Sequence, residues 1–412
     1  MVITGDWNSI IRQSMSNIGC VRRGRIIRMV SGCARAWGMR AKGKHAKHTL
    51  VLVPTHSVMR AAVLQDYGEP LAITDVEKPT PAPDGAVVSV EACGVCRSDW
   101  HGWQGDLEWI GAQPETGQIM GHEPAGTVVE TGEEVTTIKE GDHVAIPFNL
   151  ADGTCPECLR GHSNTCANTL PLGFAEQAQG AFSEEVHAPN ADFNLARLPE
   201  NVSSVDMAGL GCRFMTSFHA LAHRADVSPG DWLAVHGCGG VGLSAVHIAN
   251  ALGANVVAVD LSDEKLEMAK SLGATATVNA SQTENPGQAV QAETGNGADV
   301  SVDALGIADT CQNSILSLGT RGQHVQIGLT TQDDAGTVSL PTDMMVTREI
   351  EFIGSSGMPP NRYDEIFRMM RTGKLNPSGI VSETIDLSTV NNKLEAMTNF
   401  ETQGIPVIDS FA

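Results

Sequence analysis

Cysteine, histidine and carboxylate recur along this chain in short glycine-flanked segments, and these residue types hold metal ions and move protons. Cys96 stands in Gly94-Val-Cys-Arg-Ser-Asp-Trp-His101, His122 in Gly121-His-Glu-Pro-Ala-Gly126, and Cys212 in Gly211-Cys-Arg-Phe-Met-Thr216. Two thiolates and an imidazole would leave a tetrahedral zinc one open position, which a catalytic metal requires. Singly, each has a plain alternative: a small core residue for cysteine, a surface or hydrogen-bonded one for histidine. Spacing alone does not join the three. A second cluster, Asp152-x2-Cys155-x2-Cys158-x7-Cys166, is compact in sequence, and a carboxylate can stand among thiolates on zinc.

A different chemistry is written in Gly237-Cys-Gly-Gly-Val-Gly242, which fits GxGxxG. Gly237, Gly239, Gly240 and Gly242 permit a tight turn and close approach of backbone to a diphosphate, with Val241 opening the helix whose N-terminus favours negative charge. Context strengthens the motif. The apolar run Trp232-Leu-Ala-Val-His236 precedes it, and Val241, Ala245, Ile248, Ala249 and Leu252 then fall on one helical face, with Gly253 as a C-terminal cap. Asp260 ends the next strand, Val256–Val259, where a carboxylate can accept from both ribose hydroxyls of NAD and repel the extra phosphate of NADP. Its plain alternative is a turn acid before Ser262, itself a cap for a helix opening with Asp263 and Glu264.

The elements that must position these residues differ along the chain. From Met59 to about Val205 the sequence reads as short β segments between Gly and Pro turns, among them Ala86–Ala92, Gly126–Val129 and His143–Pro147. From Gly230 strands and helices alternate through Asp299–Ala304 and His324–Ile327, the pattern of an α/β protein with a doubly wound parallel sheet. A length of 412 residues suits two domains. Ten cysteines in a large chain with no secretory signal and a CxxC pair argue for reduced thiols and metal.

Charge is unevenly divided. Residues 1–58 hold ten of the 27 Lys and Arg but one of the 48 acids, Asp6, leaving 17 bases against 47 acids over residues 59–412. So acidic a surface repels nucleic acid and anionic membrane, and no apolar run is long enough to span a bilayer. We therefore expect a cytoplasmic protein with neither partner. An acid excess spread over a whole globular unit resembles salt-adapted surfaces, where salt screens self-repulsion, and leads us to expect a high-salt cytoplasm. The basic leader has the composition of an organelle transit peptide. We read it instead as a disordered extension or a stretch upstream of the true start, Met59, so that Cys20 and Cys33 carry no function.

Gly-Val-Cys96-Arg-Ser-Asp, Gly-His122-Glu-Pro-Ala-Gly and Gly-Cys212-Arg-Phe, all ahead of a GxGGVG turn, resemble the zinc-containing alcohol dehydrogenases of the medium-chain dehydrogenase/reductase superfamily. The resemblance covers essentially all of residues 59–412. It implies a Rossmann domain over 206–349 that binds NAD, and a mostly β, barrel-like (GroES-like) catalytic domain over 59–205 and 350–412. It assigns the catalytic zinc to Cys96, His122 and Cys212, with Glu123 close behind the metal and Asp99 holding the His122 ring. Ser98 matches the hydroxyl that takes the substrate proton, His101 the far end of a relay to solvent, Lys265 a position near the adenosine ribose and Thr216 one near the nicotinamide. A turn or cap role for Ser98 and a surface role for His101 and Lys265 are the alternatives. The family's structural zinc lobe carries four cysteines where this chain has Asp152, Cys155, Cys158 and Cys166; we expect a weaker Cys3Asp zinc site there, against a lobe that has lost its metal. The implied reaction moves hydride between a small alcohol, or its aldehyde or ketone, and NAD, in a homo-oligomer, dimer or tetramer. A polyol or sugar dehydrogenase is the nearest rival, disfavoured by cysteine at 212; a non-catalytic NAD-binding relative is the other.

Overall fold

The computed structural model describes residues 57–330, 334–376, 379–399 and 401–411. The leader as far as residue 56, with Cys20 and Cys33, lies outside them. The first strand is Val58–Val63, which pairs antiparallel with Ala72–Glu77.

Two larger sheets organise the rest. One is six-stranded and parallel throughout, in the order Ala276–Asn279, Asn255–Asp260, Trp232–His236, Ala298–Asp303, Leu318–Gln326, Glu351–Gly354. Its central strands are apolar on both faces, with Leu233, Val235, Val256, Val257, Val300 and Val302 buried, as helix-covered parallel strands must be. The helix Gly240–Leu252 packs on it through Leu243, Ala245, Val246, Ile248 and Ala249, and stops where Gly253 turns left-handed at φ 94°. Strand order reverses beside Trp232–His236, so the ligand crevice of a doubly wound sheet opens at His236 and Asp303.

The other sheet is mixed and seven-stranded. Ala86–Gly94 is its hub, flanked by Glu123–Thr131, Glu185–Ala188 and the returning C-terminal strand Ile405–Ser410, all antiparallel to it. Its core gathers Leu64, Val88, Trp103, Met120, Leu172 and Phe182. Register matters for function: Gly94 pairs with Glu123, so the chain leaving one strand toward Cys96 runs beside the chain arriving from His122.

The parallel sheet reaches past the boundary expected at residue 349. Glu351–Gly354 pairs with Leu318–Gln326 and closes the sheet's edge, and Tyr363, Ile366 and Phe367 of the helix Tyr363–Arg371 join the core beneath it. Among the described residues no helix is long and apolar enough to cross a membrane.

Two histidines are buried in the parallel-sheet core. His236 meets Ser317 Oγ at 3.3 Å, and His324 lies between Ser314 Oγ at 3.0 Å and Gln326 Oε1 at 3.0 Å. Burial lowers His236 from 6.5 to about 3. The unfolded chain therefore binds a proton that the folded chain refuses, and stability present above pH 6.5 is lost as pH falls toward 3. His236→Gln removes this titration: its urea midpoint should fall less than the parent's between pH 7 and pH 5, by about 2 kcal/mol of unfolding free energy.

Candidate active site and metal centre

Cys96 is the N-cap of the helix Arg97–Gln104, and Asp99 in its first turn does two things at once. Its Oδ2 accepts from the Cys96 backbone N–H at 2.8 Å, while Oδ1 accepts from Nδ1 of His122 at 2.7 Å. With Nδ1 donating to Asp99, the neutral ring presents its lone pair at Nε2, and this buried atom has no hydrogen-bond partner. An imidazole lone pair left bare in a protein interior fits a metal ligand whose other nitrogen is held by a carboxylate. Cys212 starts the helix Cys212–His219, and one ligand atom from each of Cys96, His122, Glu123 and Cys212 lies within 4.8 Å of the others. Tertiary structure thus assembles three residues that spacing could not join. Two thiols and an imidazole suit zinc.

Space for Glu123 is cut by glycine. A Cβ on Gly94 would stand 2.4 Å from Glu123 Oε2, and one on Gly211 2.6 Å from Glu123 Cβ. Burial pushes the Glu123 carboxyl up to about 7, against the pull of Arg213. The two thiols share charge unequally: the Cys212 thiol holds Cys96 well below the usual thiol range, and that thiolate lifts Cys212 above it. Phe148 and Phe174 present edge-on contacts to the His122 ring, with centroids 6.0 and 5.4 Å away.

The second cluster also closes. Ligand atoms of Asp152, Cys155, Cys158 and Cys166 lie within 4.8 Å of one another. Asp152 Oδ1 accepts from the backbone N–H of Thr154 and Cys155 at 2.8 and 2.9 Å, and Oδ2 from Asn168 Nδ2 at 2.6 Å.

At the glycine turn, a Cβ on Gly242 would stand 1.7 Å from the Gly237 carbonyl oxygen, so helix and strand touch only because the side chain is missing. Nothing lies within 4 Å of a Cβ on Gly239, which leaves a cradle over the helix N-terminus where a diphosphate fits. Asp260 Oδ2 accepts from the Cys238 N–H at 2.7 Å and Oδ1 from that of Ser262 at 3.0 Å, which ties the second strand to the turn. Ser262 caps its helix by accepting from the Lys265 backbone, and the Lys265 side chain is half-buried. Val241 is half-buried and its carbonyl accepts from Ser217 Oγ at 2.9 Å. Thr216 is buried with Oγ1 unpartnered.

Ser98 Oγ lies 3.8 Å from Cys96 Sγ. His101, one helical turn on, is half-buried with Nδ1 3.3 Å from Asp106 Oδ2; burial and Arg97 lower its pKa against the pull of Asp106. Sequence reasoning passed over Arg213. It is 4% exposed and its backbone N–H, Nε and Nη2 all donate to Glu123. A charge flanked by Cys212 and Phe214-Met215 was the available clue.

Residues 82–200 match the alcohol dehydrogenase GroES-like domain and residues 240–372 the zinc-binding dehydrogenase domain. An alcohol dehydrogenase of Geobacillus stearothermophilus is 33% identical over 84% of this chain and 97% of its own length. An NAD-dependent alcohol dehydrogenase of Sulfurisphaera tokodaii is 31% identical over 85% and 99%. Among solved structures, an alcohol dehydrogenase from Thermus sp. ATN1 superimposes with a TM-score of 0.78 at 31% identity, covering 85% of this chain and 99% of that one. The fold is that of a medium-chain dehydrogenase, a Rossmann sheet joined to a GroES-like one. Within that class, the chain belongs to the zinc-containing alcohol dehydrogenase family.

Asp99→Asn should keep an acceptor for the helix cap but weaken the hold on His122. Zinc affinity of the purified protein, read by chelator competition, should fall by about 10- to 100-fold; unchanged retention would show that packing alone fixes the ring.

Proposed function

We propose that the chain is a zinc-dependent, NAD-linked alcohol dehydrogenase, acting on small primary or secondary alcohols or on their aldehydes and ketones. The observation that carries this reading is the bare Nε2 of His122, buried beside two thiols. Cys96, His122 and Cys212 would hold zinc, which would supply Lewis acidity at the alcohol oxygen, and bound NAD would supply the hydride acceptor.

The remaining work falls to the chain. Asp99 orients the His122 ring. Ser98 Oγ takes the alcohol proton, and His101, neutral because burial lowers its pKa, accepts it onward at the solvent edge. The open cradle at Gly239 receives the diphosphate, with Gly237, Gly240, Val241 and Gly242 shaping the turn. Asp260 accepts from the ribose hydroxyls, and Lys265 flanks the adenosine end. Thr216 Oγ1, buried and unpartnered, offers a hydrogen bond to the nicotinamide amide. Phe148 and Phe174 keep water from the His122 ring. Asp152, Cys155, Cys158 and Cys166 hold a second, structural zinc.

Residues 59–205 and the C-terminal return make up the catalytic domain, and the Rossmann domain extends to the edge strand Glu351–Gly354. Among the described residues that strand pairs on one side only, with Phe352 exposed on it, Val346 exposed on the helix before it and Leu329 exposed just past its partner strand, which supports a homo-oligomer. The acid excess supports a high-salt cytoplasm as the setting.

NAD reduction with short, aromatic and polyhydric alcohols in concentrated potassium chloride, before and after chelation, tests the reading. Turnover on simple alcohols that chelator abolishes is expected, with Ser98→Ala lowering kcat by about 10²-fold. Turnover on polyols alone would establish a polyol dehydrogenase, and silence from folded, zinc-loaded protein would leave an NAD-binding relative without activity.

A further inference from the structure

Five buried side-chain atoms able to hydrogen-bond have no partner among the described residues. His122 Nε2 suits the metal, Thr216 Oγ1 the nicotinamide, and Arg60 Nε lies on the first strand. The remaining two, Asn164 Oδ1 and Ser355 Oγ, are brought together from distant parts of the chain. Asn164 is 9% exposed in the short turn Ser163–Thr165 beside Cys166, and its Nδ2 donates to the Ser356 carbonyl at 2.8 Å. That bond fixes the amide: the nitrogen faces the carbonyl, so Oδ1 is the free acceptor. Ser355 follows the edge strand Glu351–Gly354 and spends its backbone N–H on the Gln326 carbonyl at 3.1 Å, which leaves its hydroxyl. Buried polar groups left unmet are costly, and two set this close call for one ligand. Phe148 joins the pair to the metal ligands. Its ring meets the His122 ring edge-on, 6.0 Å between centroids, and its Cζ would stand 3.2 Å from a Cβ on Gly357. Asn149 Nδ2 would stand 2.9 Å from the same Cβ and donates to the Asn164 carbonyl at 3.4 Å. The free acceptor and the free hydroxyl thus lie beyond Phe148 from His122, at the C-terminal edge of the parallel sheet, where a doubly wound fold opens its ligand crevice.

We infer that Asn164 Oδ1 and Ser355 Oγ form a polar subsite for a second hydroxyl of the substrate, which makes the preferred alcohol a diol with well-separated ends. The inference rests on the alcohol dehydrogenase reading and narrows its substrate class. A hydroxyl donates its hydrogen to Asn164 Oδ1 and keeps lone pairs for the Ser355 O–H. A carboxylate finds no hydrogen on Asn164 Oδ1, and a plain alkyl end leaves both groups unmet. A vicinal diol keeps both oxygens on the His122 side of Phe148 and gains nothing from the pair. The far hydroxyl is held equally before and during hydride transfer, so its contribution falls on KM rather than kcat.

The test uses three alcohols of one chain length on the zinc-loaded protein with NAD: hexanol, its α,ω-diol and its vicinal diol. The α,ω-diol should exceed hexanol in kcat/KM by about tenfold, through KM, beyond the statistical factor of two that a second reactive end supplies; the vicinal diol should not. In Ser355→Ala the ratio of α,ω-diol to hexanol should fall to that factor. Asn164→Leu should do the same; because it also cuts the bond to Ser356, Ser355→Ala decides if that variant does not fold. With NAD bound, the α,ω-diol should raise the Tm of the parent more than hexanol does, and lose that margin in Ser355→Ala. A ratio at the statistical factor in the parent would mean that water fills the pair, and a ratio that Ser355→Ala leaves intact would place the far hydroxyl elsewhere; either overturns the subsite. Hexanol turnover without a diol preference would leave the dehydrogenase reading standing, whereas silence on all three from folded, zinc-loaded protein would fell that reading and the subsite with it.

Discussion

Asp99, Cys96, Glu123 and Cys212 crowd into one interior region around the Arg213 guanidinium and the His122 ring. Anionic groups cannot be taken from water in such number unless they protonate or meet positive charge. Burial raises the Glu123 carboxyl, and the hydrogen bond with Cys96 raises the Cys212 thiol. A divalent cation supplies positive charge, because it stabilises thiolate in place of thiol and needs the lone pair that His122 Nε2 presents. Everything else near the site follows from holding this cluster together before the cation arrives.

Holding it together is a problem of register. Cys96 and His122 follow or precede strands whose last and first residues, Gly94 and Glu123, are partners, so one ladder sets both candidate ligands. The third candidate ligand, Cys212, comes from a helix N-terminus that approaches closely because residue 211 has no side chain. The helix Ser204–Gly209 leads into this approach and is itself capped, Ser203 accepting from the Asp206 N–H. A Cβ at 94 or 211 would meet Glu123 and push apart the elements that carry the ligands.

What could be read from the sequence divides along the same line. The glycine turn was legible because its causes are local: Gly242 faces the carbonyl of Gly237, five residues before it. Gly253 and the Ser262 cap were legible for the same reason. The candidate metal ligands span residues 96 to 212, and only resemblance joined them. Arg213 was not legible, since the partner that makes its burial tolerable is 90 residues away. The strand Leu318–Gln326 was seen only from His324, because Gly319, Gly322 and the positive φ of Arg321 break its apolar pattern before Gln323. The edge strand Glu351–Gly354 was missed because an exposed strand need not alternate.

Asp152 illustrates how one substitution changes what a metal lobe demands. A cysteine there would have one sulfur, where the carboxylate has two oxygens for separate donors. The carboxylate receives two backbone N–H groups on Oδ1 and the Asn168 amide on Oδ2, and these donors hold its pKa well below the usual carboxylate range. It is therefore ionised and oriented whether or not a metal is present. Oδ2 keeps a further lone pair for a cation, and Cys155, Cys158 and Cys166 are buried close by. Such a lobe preorganises its backbone through the hydrogen bonds that Asp152 accepts, while each donor drawn to the carboxylate reduces the charge it could offer zinc. Backbone order in the lobe thus does not depend on a metal, whereas at the buried Cys96 and His122 and the half-buried Cys212 the gathered anionic charge calls for one.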